Sequence, residues 1–580
     1  MELGSGGGFL RTWHVGPASF HTLSALGVPR SPSAVMTRLL FLLCSFWMAA
    51  GSLTATRPIR TLRLLQTDGS TVSVSLSDLY SLSAGKEDIC PAHFSQSRRA
   101  SRAMMATSPD GLGEFGTPSR GVLPSLGAPI IPIVMVEFSD VAFQASTTPA
   151  RIDSLFDADD HALSPRAKGS VRDYYRAQSY GRFTPHFKVV GKVRVSRPRA
   201  YYGANSAASK NINIGELYRE AIDLAQKGGA DFSAFVVGGR VPLTVLLHAG
   251  PGEHDSFEAG NEDYPWAHFS ENTLVSGGLH FDSYFVGCEL MQSYERDPDT
   301  KQPRRDASGH PIVAGAELEG IGVFCHEMGH ALGLPDFYST REAQQTPDFH
   351  DIMDYAQYGN DGYWPLGYSA YERNYMGWLQ LHELADAGAY RLAALHDTVP
   401  DAPQAYLIRN AADSKEYYIL ENRRPSTWFA SVLGQGMLVY HLHYDVNAWS
   451  ANVVNINPAH LRCVVVPADN AWQNRKTGNA ADFQGDFFPG TKGVTELSEA
   501  GAPAMTWYAG GAARPIYDIA EEGMGGITFS FLQPHTTGLS APTIATTDDA
   551  HVYSLDGRRV KWSNAPTGIY LQHGKKIIVR

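Results

Sequence analysis

The sequence predicts a multidomain chain in which an α/β domain is followed by an all-β sandwich domain. Its 580 residues exceed what one hydrophobic core usually holds. Between about 129 and 379, continuous apolar runs alternate with amphipathic helical stretches, the pattern of a mixed sheet covered by helices. From Tyr390 to about Leu532 the chain alternates apolar and polar residues between Gly and Pro turns, as all-β domains do. Charge narrows the partners: at a net −11 nothing in the composition calls for nucleic acid. Five cysteines (Cys44, Cys90, Cys288, Cys325, Cys463) are too few for a disulfide scaffold, and no CxxC pair offers a zinc site.

Residues 1–35 are rich in Gly, Ser and Pro. After them, Met36-Thr37-Arg38 precedes the apolar run Leu39–Ala50 and the small residues Gly51, Ser52 and Ala55. That is the layout of a secretory signal peptide starting at Met36, with the first 35 residues an upstream extension. The run is too short for a transmembrane helix, and no other stretch is long enough, so no membrane anchor is expected once the signal is removed. Thr61–Leu82 reads as a hairpin about Asp68-Gly69. The basic, Ser-rich stretch Ser95–Ser101 and the Gly/Ser/Pro-rich stretch Ser108–Pro124 read as a cleavable linker closing a propeptide. Cys90 lies within the propeptide, where a thiolate would suit a zinc cap in a latent form.

Ile130–Phe138 is a continuous apolar run, expected as a buried central strand. Gly169–Ser179 reads as a helix and His186–Val195 as a strand. Gly215–Gly228 is an amphipathic helix, and Ala234–Val237 and Val241–Ala249 read as strands. The acidic loop Gly250–Pro265 carries His254, Glu253, Asp255, Glu258, Glu262 and Asp263, with His248 and His268 flanking it; this set can bind calcium or line the cleft, but it reads first as a solvated acidic loop. A helix over Leu318–Leu332 follows, then one over Gly367–Leu379.

The Leu318–Leu332 helix carries the chemistry. It contains His326-Glu327-Met328-Gly329-His330. Residues four apart share a helix face, so both imidazoles can reach one metal ion. Glu327 stands one step round, placed to take a proton from water activated there. By composition this HExxH pattern arises by chance about 0.04 times in such a chain. Gly333 can take the left-handed conformation that stops the helix, and Pro335 prevents its resumption. Asp336 is then placed to bring a carboxylate back as third ligand, leaving one position open for water. The rival third ligand is Glu372 on the next helix. Met353 and Tyr355 form a Met-x-Tyr pattern that resembles the turn of metzincins, where a Met lies beneath the zinc and a Tyr two residues later can approach the metal or the oxyanion; a buried Met beside an aromatic is otherwise ordinary core.

The motifs HEMGHALGLPDFY, GSVRDYYRAQSYGRF at 169–183, HAGPGE at 248–253, Trp266-Ala267-His268, GYSAYERNYMGWL at 367–379, EYYILENR at 416–423 and GMLVYHLHYD at 436–445 resemble the immune inhibitor A family of secreted bacterial metallopeptidases. The resemblance covers roughly residues 125–532. It implies a metzincin-like catalytic domain, a propeptide, Zn2+, structural Ca2+, and cleavage of protein or peptide substrates. On the matching positions it makes His326, His330 and Asp336 the metal ligands and Glu327 the acid/base. Where an acidic residue often follows in the family, this chain has Phe337-Tyr338-Ser339.

VYSLDGRRV at 552–560 and GIYLQHGKKIIVR at 568–580 resemble C-terminal sorting segments of type IX secretion, which implies a partner in the export machinery and release or attachment at the cell surface. The expected domains are therefore an extension and signal peptide at 1–55, a propeptide and linker at 56–124, and a zinc peptidase domain at 125–385. A β-sandwich at 386–535 and a sorting-type segment at 545–580 complete them. Two other readings compete. One is a surface adhesin on the same fold without activity, for which Glu327 would have no use. The other is a zinc hydrolase of a non-protein substrate such as glycan.

Overall fold

The computed structural model describes residues 108–534 and 551–579, apart from short breaks at 161–167, 207–208, 259, 299–302, 342–343, 399, 426, 479, 524, 556–557 and 573–574. It also describes two strands, Thr61–Leu65 and Thr71–Ser75, which pair antiparallel as the two arms of the expected hairpin. The expected signal peptide, the Ser95–Ser101 stretch and Cys90 lie outside the described residues.

Five strands build the central sheet of the first large region. In spatial order they are Val313–Leu318, Tyr284–Tyr294, Thr244–Pro251, Ile130–Glu137 and His186–Arg194. The last four run parallel, Val313–Leu318 lies antiparallel at the edge, and the short strand His268–Ser270 also pairs with Tyr284–Tyr294. The unbroken apolar run at 130–138 follows from having both faces covered. Ile131, Ile133 and Met135 face one core with Tyr174, Tyr175, Cys325 and Met328. Val134 and Val136 face the other, against Leu217, Tyr218 and Ile222 of the helix Ile214–Lys227. Alternate residues of a strand point to opposite faces, so one run serves two cores.

The helix Val171–Gln178 starts in a reciprocal cap. Asp173 N–H donates to Ser170 Oγ at 3.0 Å, and Ser170 N–H donates to Asp173 Oδ2 at 3.1 Å. Its Tyr175 hydroxyl donates to the Cys325 carbonyl at 2.8 Å, and the Tyr368 hydroxyl does the same at 2.8 Å. Two buried phenols, one on the helix Val171–Gln178 and one on the segment just before Ser369, thus grip the HExxH helix, which spans Gly322–Ala331 and is buried at every residue.

Three expected elements differ. Residues 234–237 form no strand: Ser233–Phe235 is a 3-10 turn, and Gly238 and Gly239, both at positive φ, reverse the chain into a two-residue strand at Arg240–Val241. Leu318 ends the edge strand, paired with Leu290, so the HExxH helix begins four residues later than its apolar pattern suggests. The helix expected over 367–379 is confined to Ala370–Tyr375 by the Ser369 cap and by Gly377 at φ +76°.

The second large region has two sheets. One orders His382–Glu383, Ala405–Arg409, Glu416–Arg423, Gly436–His443 and Cys463–Val465; the other orders Gly388–Leu392, Ile527–Phe531 and Ile516–Glu521. Ile408, Tyr418, Leu420, Met437 and Val439 of the first share a core with Leu392, Ile516, Ile527 and Phe529 of the second. The opposite face of the five-stranded sheet, through Tyr417, Ile419, Leu438 and Tyr440, joins the core that contains the HExxH helix. This region is therefore a wall of the site. Its short helices Val446–Ser450 and Ala480–Gln484 interrupt the expected all-β pattern.

Residues 551–579 form a four-stranded antiparallel sheet ordered Arg559–Lys561, His551–Ser554, Gly568–Gln572 and Lys575–Val579. Cys288, Cys325 and Cys463 are buried free thiols. Among the described residues no helix is long and apolar enough to cross a membrane.

Candidate active site

The HExxH helix ends as the glycine requires. Gly333 takes φ +108°, Gly333 N–H donates to His330 O at 3.0 Å, and Leu334 N–H donates to Gly329 O at 3.0 Å. This reversal returns Asp336 to the two histidines. His326 Nε2 and His330 Nε2 each lie 3.1 Å from the same oxygen, Asp336 Oδ1.

The far side of each ring fixes its tautomer. His326 Nδ1 donates to Ile352 O at 2.6 Å, and His330 Nδ1 donates to Leu334 O at 2.9 Å. In neutral rings both Nε2 atoms therefore present lone pairs towards a carboxylate oxygen. Three electron-pair donors meeting in a dry site repel unless a cation lies among them. Tetrahedral zinc with N and O ligands separates its donors by about 3.3 Å, close to what is observed. The donor set fits the metal that the motif implies.

Burial acts to raise the Asp336 carboxyl, but positive charge on the facing His330 and His326 overcomes it and holds the group well below the usual carboxylate range; with neutral rings, a bound cation would supply that charge instead. A second device holds it in place. Asp336 Oδ2 accepts from Asn452 Nδ2 at 2.5 Å, and Asp336 N–H donates to Asn452 Oδ1 at 2.7 Å. Asn452 follows the helix Val446–Ser450 and sits at φ +57°, a conformation asparagine tolerates better than most residues. No sequence spacing announces a partner 116 residues away.

Glu327 is buried, 3.9 Å from His330 Nε2, and its Oε2 accepts from Phe269 N–H at 2.7 Å. Burial pushes its carboxyl up to about 8. A dication held by the neighbouring ligands would act in the opposite sense and favour the base form. His326, Glu327, His330 and Asp336 are thus brought together.

Glu372 is not with them. Its Oε2 accepts from Ser369 N–H at 2.6 Å and from Ser369 Oγ at 2.8 Å, which caps its own helix. Burial and the neighbouring Asp351 push the Glu372 carboxyl well above its ordinary range. It faces Asp351 and supports the turn that begins there.

That turn lies beneath the site. Met353 packs against Gly329, between the two histidines on the helix: a Cβ at Gly329 would meet Met353 Sδ at 2.5 Å. Met353 O also accepts from Phe337 N–H at 2.8 Å. Tyr355 is buried one aromatic layer out; its ring centroid lies 6.3 Å from that of Tyr338, which stacks on His326 at 6.3 Å. From the β region, buried Arg423 donates to His350 O and to Glu421 Oε1, fixing the turn from below. Glu421 in turn accepts from Ala370 N–H at 2.5 Å, and Glu416 accepts from His441 at 2.9 Å.

Glu253, His254 and Asp255 are buried, so the loop read as solvated is not so at its start. The Gly and Pro around them suggest exposure, but the loop folds back beneath Pro265, whose carbonyl accepts from Glu253 N–H.

Residues 151–377 match the family model described as the catalytic domain of immune inhibitor A peptidase M6. The chain is 26% identical over 220 residues to a pre-pro-metalloprotease, PrtV, of Vibrio cholerae serotype O1, covering 33% of this chain and 22% of the relative. It is 27% identical over 195 residues to immune inhibitor A of Bacillus thuringiensis subsp. alesti, covering 30% of this chain and 26% of the relative. The chain thus matches about a quarter or less of the length of these curated relatives. Both relatives and the family model support the resemblance carried by the motifs, and they place the 151–377 segment in the metallopeptidase class.

Proposed function

We propose that the chain is a secreted zinc endopeptidase, made as a zymogen, that hydrolyses peptide bonds of protein substrates. The observation that carries this reading is the convergence of His326 Nε2 and His330 Nε2 on Asp336 Oδ1, each at 3.1 Å, with both Nδ1 atoms tied to backbone carbonyls. His326, His330 and Asp336 would hold the zinc, and Glu327 would serve as acid and base.

When bound, zinc supplies a Lewis acid that polarises the scissile carbonyl and makes water a competent nucleophile at neutral pH. Glu327, steered by Phe269 N–H, takes the proton from the attacking water and delivers it to the leaving amine nitrogen. Asn452 keeps Asp336 aimed, and Met353 sets the floor of the site. Tyr355, which lies behind Tyr338, is assigned to the oxyanion side.

The finer assignments belong to the same proposal. The catalytic region is metzincin-like and spans 125–385, and the paired sheets of 386–535 form a β-sandwich. Residues 1–55 comprise an upstream extension and a signal peptide that starts at Met36 and is removed, 56–124 act as propeptide and linker, and 545–580 engage export machinery of the type IX kind. Structural Ca2+ accompanies the fold. The pre-pro designation of one relative supports the zymogen reading.

The test compares casein cleavage by wild type and Glu327→Ala, with and without a chelator, and measures zinc in His326→Ala. Equal cleavage by wild type and Glu327→Ala would sink the mechanism, and undiminished zinc in His326→Ala would remove the ligand assignment.

A further inference from the structure

A second cluster of metal-ligating groups lies apart from the HExxH site. His254 and Asp255 stand on the turn after the strand Thr244–Pro251, Cys288 on the neighbouring strand Tyr284–Tyr294, and Glu319 three residues before the HExxH helix. Their donor atoms all lie within 4.8 Å of one another. His254 Nε2 is 3.1 Å from Asp255 Oδ2 and 3.3 Å from Glu319 Oε1. Cys288 Sγ is 2.9 Å from Glu319 Oε2 and 3.8 Å from Asp255 Oδ2. His254, Asp255 and Cys288 are each less than 4% exposed.

These separations have the right scale for one ion. A tetrahedral centre with metal–N and metal–O bonds near 2.0 Å and a metal–S bond near 2.3 Å spaces its donors by about 3.3–3.7 Å. The observed neighbours straddle that range, and four side chains supply four ligands. The set also has a definite chemical taste. Thiolate and imidazole select zinc or a similar borderline cation over calcium and magnesium, which prefer oxygen alone. Gly252 makes room for the ring, since a Cβ there would sit 2.9 Å from His254 Cε1.

Charge points the same way. The carboxylates of Asp255 and Glu319 and the Cys288 thiol face one imidazole, that of His254. A dication neutralises the pair without forcing a proton onto either acid.

We propose that His254, Asp255, Cys288 and Glu319 form a second, structural zinc site, closed by four protein ligands and separate from the HExxH site. On binding, the Cys288 thiol proton and any proton on His254 Nε2 or Glu319 leave to solvent, and Sγ, Nε2 and the two carboxylates bond the ion. The site ties the 250–265 loop and the Tyr284–Tyr294 strand to the segment that enters the HExxH helix.

The experiment uses the full chain with His326→Ala and His330→Ala, which removes the other site and separates this proposal from the peptidase reading. That chain should retain about one zinc where wild type holds about two, and Cys288→Ala in the same background should lose it. Cobalt(II) replaces zinc as the spectroscopic probe: a sulfur-to-cobalt charge-transfer band should appear in the double variant and vanish with Cys288→Ala. Glu319→Gln, which leaves the sulfur in place, should shift the band and weaken metal retention against a chelator by ten-fold or more. A folded double variant without metal or band would overturn the proposal, as would metal content and band unchanged by both Cys288→Ala and Glu319→Gln.

Discussion

Replacing Asn452 by alanine should loosen the metal site without touching a ligand. Two hydrogen bonds disappear, one of them to the Asp336 carboxylate at 2.5 Å, and the buried Asp336 N–H loses its Asn452 acceptor. A bond to a charged acceptor contributes about 1.5–3 kcal/mol, and an orphaned buried donor costs about 1–3 kcal/mol. A stability loss of about 2.5–6 kcal/mol is therefore expected, together with a zinc affinity lower by about ten- to a hundred-fold, the usual effect of removing a ligand's support. Asn452 sits at φ +57°, so alanine adds backbone strain that glycine does not. Comparing Asn452→Ala with Asn452→Gly separates that strain from the lost bonds. The assay is zinc competition against a chromophoric chelator at fixed pH, with urea unfolding alongside. Zinc affinity within three-fold of wild type in both variants would refute the reasoning, because Asp336 would then need no outside support.

Other substitutions test other parts. Glu372→Gln should leave zinc content unchanged while Asp336→Ala should abolish binding at the HExxH site, read by metal analysis against a Cys288→Ala background. Gly329→Ala drives a Cβ to 2.5 Å from Met353 Sδ and 3.0 Å from the Tyr368 hydroxyl, so it should cost about 1–3 kcal/mol, with partial recovery on adding Met353→Ala. The pair Glu416 and His441 gives a pH signature. Burial acts to raise Glu416, but His441 and the N–H groups of Tyr508 and Ala509 lower it from 4.5 to about 2. The folded state then stays ionised where the unfolded chain takes up a proton. That stabilisation is whole above about 4.5 and disappears as pH falls through about 2. Urea midpoints measured across this window should fall for wild type and stay flatter for Glu416→Gln.

Much of the site was legible because it is local. The HExxH spacing, Gly333 and Asp336 fall within eleven residues, and helix geometry plus one left-handed turn carries the argument from sequence to convergence. Met353 was legible as a turn residue from its pattern with Tyr355. The choice between Asp336 and Glu372 was not, because it depends on Ser369 and Asp351 engaging Glu372 through the fold. Asn452 was invisible for the same reason. His254 and Asp255 were misread as solvated because acidic, Gly-rich composition marks a loop but says nothing of what packs on it. The strand expected at 234–237 failed at Gly238-Gly239, whose positive φ values turn the chain before a ladder can form.

The most direct test of the central claim is Glu327→Gln measured for zinc content and casein cleavage together, beside wild type given the same limited proteolysis. The account predicts unchanged zinc and cleavage lower by about a thousand-fold or more, since the ligands remain and the proton carrier is gone. Cleavage near the wild-type rate with zinc in place would contradict it.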